Sequence, residues 1–305
     1  MEVETVTEFA VQTLHLTKRF DGFVALNSVD MHVPTGSVYG LIGPNGAGKT
    51  TLLQHIAGIY RKDSGDVLVL GQPVFENVAI KERIAFVPSS FYIPARATLK
   101  SLASLHESIT PRFDRGRFET LLGNLNLPLT LPFRKFSKGM QKQAMLLLAL
   151  ASRPDVLLLD EPMDGLDPLV RKTAWSIVLS DVAEFGTIVI VSSHNLRELE
   201  GVCDHLGIMA EGQIISEHDL LSLDGSLVKV QLALPDGVEL AGVDVLHESA
   251  EGRLRTLIVR GNADQVRTAL SALNPVLLEI IPLSLEELFL YELNEVSPHV
   301  KNIVL

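Results

Sequence analysis

The chain has 305 residues, 47% of them apolar. That is enough for two domains with a sizeable core, yet apolar runs such as Met145–Ala151 fall far short of a membrane span. A formal net charge of −11 disfavours non-specific binding to nucleic acid or anionic lipid, because the dominant charge term is repulsive.

The opening Met1-Glu2-Val3-Glu4 is acidic and lacks the basic and apolar regions of a secretory leader, so none is expected. Val11–Leu16 alternates apolar and polar residues, as a half-buried strand does. Asp21-Gly22 marks a turn, and Ala25–Val33 predicts another strand that ends at Pro34. Phe20 is read as a core aromatic, with stacking on a nucleotide base as the alternative. Ser37–Ile42 is apolar and suits a buried strand, and Thr50–Ala57 suits a helix stopped by Gly58. Between them, Gly43-Pro44-Asn45-Gly46-Ala47-Gly48-Lys49-Thr50 fits the pattern G-x-x-x-x-G-K-[ST] in the strand–loop–helix context it requires. Glycines there let backbone N–H groups turn inward around phosphate oxygens, and the helix N-terminus adds a partial positive charge. Gly43, Asn45, Gly46, Gly48, Lys49, Thr50 and Thr51 are therefore the candidate nucleotide-binding set. Lys49 is expected to reach the β- and γ-phosphates and the Thr50 hydroxyl to ligate Mg²⁺.

Asp63-Ser64-Gly65 reads as a turn, Val67–Leu70 as a strand and Ile84–Val87 as a buried strand closed by Pro88-Ser89-Ser90. Helical spacing of Leu99, Leu102, Ala103 and Leu105, then of Phe118, Leu121, Leu122 and Leu125, predicts a small helical insertion over residues 95–150. Arg112, Arg115 and Arg117 within it are read as a solvated face. Phe136-Ser137-Lys138-Gly139-Met140 leads into an apolar helix. Val156–Leu159 followed by Asp160-Glu161 is a buried strand ending in carboxylates, which is odd unless a cation or a proton is handled there. Asp164–Pro168 is a turn and Leu169–Val182 a helix. Thr187–Val191 is a buried strand ending in Ser192-Ser193-His194, and Leu196–Cys203 is read as a further helix. Leu206–Ala210 and Gln213–Ile215 form a hairpin about Glu211-Gly212. The lone Cys203 allows no internal disulfide, which suits the cytosol. The nine histidines show no metal-ligand pairing. Apolar strands alternating with helices predict a parallel α/β sheet with its site at the C-terminal edge. From about residue 226 the pattern changes to a small α+β unit. Strands are expected at Val228–Leu232, Leu254–Val259 and Val276–Ile281, and helices at Asn262–Leu273 and Ser284–Leu290, without a catalytic constellation.

Taken together and in order, these motifs resemble the ATPase subunit of an ABC transporter over about residues 10–220. Residues 43–50 match the family's Walker A motif and Phe136–Met140 its signature motif. Val156–Pro162 matches Walker B with the following Glu, Asp164–Asp167 the D-loop, and His194 the switch histidine. The resemblance implies a P-loop NTPase fold, α/β, with a parallel sheet, an antiparallel β subdomain and the helical insertion. It implies a cassette over 1–222, followed by the accessory domain at 226–305. It further implies ATP and Mg²⁺ as cofactors and Glu161 as the base that activates the attacking water, with His194 on the γ-phosphate. Asp160 joins Thr50 at the metal, and Phe20 matches the aromatic that stacks on adenine. Ser137 and Gly139 would touch the nucleotide of a second ATPase subunit, identical or not, packed head to tail. A separate integral-membrane permease would hold the chain on the inner face of the membrane, and no nucleic-acid partner is expected. Two departures stand out: Ser89 occupies the place of the usual metal-linked Gln, and the signature carries Lys138 and Met140. Pro282–Phe289 resembles the closing segment of exporter ATPases, which favours export over import. The alternative is a regulatory ABC ATPase with weak hydrolysis, which Ser89 favours and Glu161 and His194 oppose.

Overall fold

The computed structural model describes residues 9–220, 227–235, 238 and 240–292. The acidic opening stretch and the domain boundary expected between 222 and 226 lie outside the described residues. Two compact units are present, Met1–Glu217 and His218–Leu305.

The first unit begins with a long antiparallel pair, β1 (Phe9–Phe20) and β2 (Phe23–Pro34). The two are joined by a tight turn in which Asp21 and Gly22 both take positive φ, 45° and 88°. A two-residue turn of that hand matches the twist of the strands it joins. Next come β3 (Val38–Ile42), buried along its whole length, and α1 (Lys49–Ile56). β4 (Ser64–Val69) and β5 (Gln72–Pro73) extend the antiparallel sheet to the order β2-β1-β4-β5. The turn expected at Asp63–Gly65 is therefore shorter, because the strand already starts at Ser64. Gly65, at φ +82°, passes so close to the backbone of His15 that a Cβ would overlap the carbonyls of His15 and Leu14. A glycine can be a strand residue at such a close approach. α2 (Val78–Lys81), capped by the Asn77 side chain on the Ile80 N–H, is too short to show a periodicity in the sequence. It is followed by β6 (Ile84–Val87).

The insertion is helical. α3 (Leu99–Ile109) opens with a reciprocal Thr98/Ser101 capping box. α4 (Arg115–Leu125) is capped by Asp114, and α5 (Lys138–Ala151) by Ser137, whose side chain accepts from the Met140 N–H. Of the three arginines, Arg112 and Arg115 are partly exposed and only Arg117 is largely withdrawn from solvent. Arg112 pairs with Asp155, Arg115 with Glu107, and Arg117 with the buried Asp181. Arg117 and Arg153 also lie over the Phe185 ring, at 4.6 and 4.2 Å from its centroid. Charge spacing alone could not reveal this, since each acidic or aromatic partner comes from another part of the chain.

β7 (Val156–Asp160) and β8 (Ile188–Ser193) are buried throughout, as strands covered on both faces must be. Between them runs α6 (Pro168–Phe185), with Asp167 accepting from the N–H groups of Leu169 and Val170, proline at its first turn and Gly186 in the left-handed region at its end. Its buried face carries Ala174, Val178 and the chain's one tryptophan, Trp175. The helix expected at Leu196–Cys203 is replaced by a single 3₁₀ turn, Leu196–Glu198. Asn195 caps it, i→i+3 bonds run from Glu198 and Leu199, and Gly201 at φ +69° turns the chain away. β9 (His205–Ala210) and β10 (Gln213–Asp219) meet at the expected Glu211-Gly212 turn, again with both φ positive. The main sheet has the order β10-β9-β3-β8-β7-β6, with β3, β6, β7, β8 and β9 parallel. The two sheets and α1 share one core, in which Leu52, Leu53 and Ile56 meet Leu26, Met31, Leu41, Leu158 and Ile190.

The second unit is an antiparallel sheet of order β12-β13-β11-β14, formed by β11 (Leu227–Ala233), β12 (Asp244–Glu251), β13 (Leu254–Arg260) and β14 (Leu277–Ile281). α7 (Ala263–Ser271), capped by Asn262, buries Val266 and Leu270 against Val228, Val230, Leu232, Leu257 and Val259. Leu288 of α8 (Leu285–Glu292) covers the other face with Leu227 and Ile258. β12 escapes sequence reading because it is an edge strand whose residues from His247 to Glu251 are exposed, so it shows no apolar alternation.

Candidate active site

The loop from Gly43 to Gly48 leaves the C-terminal end of β3 and enters α1. A Cβ on Gly43 would overlap the Met209 carbonyl oxygen, and one on Gly48, at φ +109°, would sit 2.8 Å from the Ala25 carbonyl oxygen. Gly46 also has a positive φ, +85°. Glycine is thus required by space at two positions and by backbone conformation at two. Gly48 is the N-cap of α1 and contributes no side-chain cap, so the first N–H groups of the helix stay available to an anion.

Around this loop the strand ends bring together a compact polar cluster. Lys49 Nζ donates to the Gly43 carbonyl at 2.6 Å and lies 3.3 Å from the Pro44 carbonyl oxygen. It also forms an ion pair with Glu161 Oε1 at 3.2 Å. The Lys49 and Glu161 side chains are only 6% and 16% exposed, so solvent screens their attraction little. The second carboxylate oxygen of Glu161 is 2.7 Å from His194 Nδ1. Thr50 Oγ1 donates to the fully buried Asp160, 2.9 Å from Oδ2 and 3.1 Å from Oδ1. Ser192 Oγ donates to Asp160 Oδ1 at 2.7 Å and accepts from the Glu161 N–H at 3.0 Å. Glu161 itself sits in the left-handed region, at φ 48°, a conformation that costs a non-glycine residue about 1–2 kcal/mol. Such strain persists where the surroundings over-determine it.

An open cleft of about 370 Å³ lies against the cluster. Asn45, Gly46, Gly48, Lys49, Thr50, Thr51, Ser89 and Glu161 line it, so residues far apart in the sequence meet at one face. Phe20 is not among its lining. Its ring meets Tyr60 edge-on at 5.4 Å, with Lys18 Nζ 5.2 Å from its centroid. Phe23, two-thirds exposed, is the aromatic that lines the cleft. Ser137 and Gly139 stand at the start of α5 and do not line the cleft. Three further residues escaped sequence reading. Phe23 lies just past the turn after Phe20. Ser192 is the first of two serines that end β8 after four apolar residues, a usable signal at the sheet's C-terminal edge. Lys142, on α5, donates to the carbonyls of Glu161 at 2.9 Å and Asp164 at 2.6 Å. Burial pushes its ammonium below the usual lysine range, against the pull of Asp164, Glu161 and Glu198.

The donor set suits a small hard cation. Among the described residues no three His, Cys, Asp or Glu side chains converge into a cage. Thr50 and Asp160 instead offer one hydroxyl and one carboxylate beside a phosphate-shaped loop. That is how Mg²⁺ is usually held, with waters and substrate phosphates completing the shell.

A family profile described as ABC transporter matches residues 26–164. The chain is 30% identical over 284 residues to the ABC transporter ATP-binding protein YtrB of Bacillus subtilis (strain 168), covering 92% of this chain and 97% of that protein. It is 29% identical over 242 residues to the Nod factor export ATP-binding protein I of Burkholderia lata, covering 74% and 77%. Among solved structures, an ATP-binding subunit of an ABC transporter superposes with a TM-score of 0.64 at 25% identity, over 70% of this chain and 91% of that one.

Proposed function

Since this chain belongs to the ATP-binding subunits of ABC transporters, ATPases whose hydrolysis is coupled to transport, we propose that it hydrolyses Mg-ATP in a head-to-tail dimer to drive export through a separate membrane permease. The observation that carries the hydrolytic part is that Lys49, Thr50 and Glu161 line one cleft, with Asp160 bonded to Thr50 and His194 to Glu161. Lys49 and the loop N–H groups hold the phosphates. Thr50 and Asp160 hold Mg²⁺, with Ser89 facing the same space. Mg²⁺ bound there neutralises phosphate charge as it develops during transfer. Glu161 accepts the proton of the attacking water. His194, bonded to the Glu161 carboxylate, keeps that carboxylate aimed and contacts the terminal phosphate. Phe20 or its neighbour Phe23 supplies the aromatic face for adenine.

The dimeric reading assigns Ser137 and Gly139 to the nucleotide held by the second subunit, identical or not. Both stand at the N-terminus of α5, where Ser137 Oγ accepts from the Met140 N–H, and a helix N-terminus favours an anion. Export is supported by the relative named for Nod factor export and by the resemblance of Pro282–Phe289 to exporter ATPases. Among the described residues no helix is long and apolar enough to cross a membrane, and this reading assigns the transport path to a separate permease. The cassette then sits on the cytoplasmic face through that permease, and the second unit is an interaction or regulatory domain. Purification from membranes is expected to bring down an integral-membrane protein with this chain. Recovery free of any such protein would move the assignment to a stand-alone regulatory ATPase.

Ser89 separates motor from regulator. Its hydroxyl is shorter than the usual Gln by about two bonds, and it reaches a cation at the cleft less directly. Wild-type chain is expected to hydrolyse ATP in a Mg²⁺-dependent and cooperative manner. Ser89→Gln is expected to change the rate by no more than about threefold, within the range of a water-bridged contact. A silent wild type restored by Ser89→Gln would instead identify a cassette tuned down at this position.

A further inference from the structure

Lys142 is an ammonium spent on two backbone carbonyls, those of Glu161 and Asp164. Both belong to the segment that follows β7. From the other side, Ser192 Oγ accepts from the Glu161 N–H. The Glu161 peptide units are therefore gripped at both ends while its backbone is held in the left-handed region. A rotation of that residue would swing its carboxylate away from Lys49 and His194, which its two oxygens now meet. Farther along, Arg171 Nη2 lies 3.4 Å from the buried Glu198, whose Oε2 accepts from Ser193 Oγ at 2.9 Å. Lys49 meets the Glu161 carboxylate, whereas Lys142 bonds the Glu161 backbone carbonyl.

Lys142 lies one helical turn inside α5, four residues after Lys138 and five after the cap Ser137. A displacement of the α5 N-terminus is transmitted through the rigid first turn to the lysine. We propose that Lys142 is a positioning residue for hydrolysis, fixing the Glu161 peptide so that its carboxylate points into the cleft and tying that aim to the position of α5. The inference rests on the reading of Glu161 as the base. It makes turnover responsive to what occupies the start of α5. The charged groups facing the ammonium are Asp164 and Glu161 on the gripped segment, Glu198 beyond β8 and Lys138 on its own helix.

The test uses the full chain with Lys142→Met, Lys142→Arg, Glu161→Gln and the double variant Lys142→Met/Glu161→Gln. Misaiming a reacting group by about 1 Å costs up to roughly 10²-fold, so Lys142→Met is expected to lower kcat about 10- to 50-fold. The KM for ATP and the affinity for ATP in a direct titration are expected to stay within about threefold of wild type, since only an interaction realised in the transition state is lost. Lys142→Arg keeps donors in reach of both carbonyls and is expected to recover most of the rate. In the Glu161→Gln background, Lys142→Met is expected to change the residual rate less than about twofold, because a residue that acts through another has nothing left to aim. Losses that multiply in the double variant, or a fall in ATP affinity parallel to the fall in rate, would overturn the positioning role. If Lys142→Met does not fold, Lys142→Gln carries the same comparison. An unimpaired Glu161→Gln would strike the base assignment, whereas an impaired Glu161→Gln beside an unimpaired Lys142→Met would strike the lysine alone.

Discussion

Glu161→Gln is expected to bind ATP and to turn it over roughly 10²- to 10⁴-fold more slowly than wild type, the usual worth of the positioned general base proposed here. The substitution preserves shape and removes charge, so the loop and the helix that hold phosphate are unaltered. What is lost is the carboxylate that now lies between Lys49 at 3.2 Å and His194 at 2.7 Å. An amide in that place cannot take a proton from water. ATP binding is therefore expected to persist, and the ATP-bound dimer to accumulate on a sizing column. Steady-state turnover alongside a direct nucleotide titration measures both halves. Turnover within about threefold of wild type would remove Glu161 from the role of base.

Lys49→Ala is expected to lose nucleotide affinity by about 10- to 10³-fold, or about 1.4–4 kcal/mol, the size of one strong or two modest charge-assisted contacts to phosphate. The lysine is nearly buried, and its ammonium is engaged by the Gly43 carbonyl and the Glu161 carboxylate. Nucleotide phosphate must compete with Glu161 for it, so the site exchanges partners rather than filling a bare charge. Alanine abolishes that exchange and leaves a largely buried carboxylate with His194 as its remaining side-chain partner in the cluster. Calorimetric titration with Mg-ATP measures the loss, and a thermal melt reports whether the unpaired carboxylate also weakens the fold. Affinity within about twofold of wild type would contradict the assignment of Lys49 to phosphate.

Much of this site could be read before the fold was seen, and the reason is local. The glycine loop needs its residue types in one continuous stretch, and β3, β7 and β8 show their burial as unbroken apolar runs. Asp160 at the end of β7, Glu161 just after it and the histidine after β8 stand at strand ends, where a parallel sheet gathers its chemistry. What could not be read depends on contacts between distant segments. The Arg117–Asp181 pair joins α4 to α6, and the Lys142 bonds join α5 to the segment after β7. No spacing rule relates those residues. The residues from Leu196 to Cys203 have helical composition, but Asn195 and Gly201 limit them to one 3₁₀ turn. β12 has nothing apolar to announce its exposed half. Phe20 and Phe23 flank the same tight turn, and only the path of β1 and β2 decides which ring faces the cleft.

One feature of α6 has a practical reach. The sole indole of the chain lies on the helix capped by Asp167, immediately after the segment carrying Glu161 and Asp164. Excitation of tryptophan therefore interrogates a single place, with no label to introduce and no second emitter to subtract. Rearrangement of that segment shifts the polarity and quenching around Trp175 in real time. The native chain thus carries its own optical gauge for any movement of that segment.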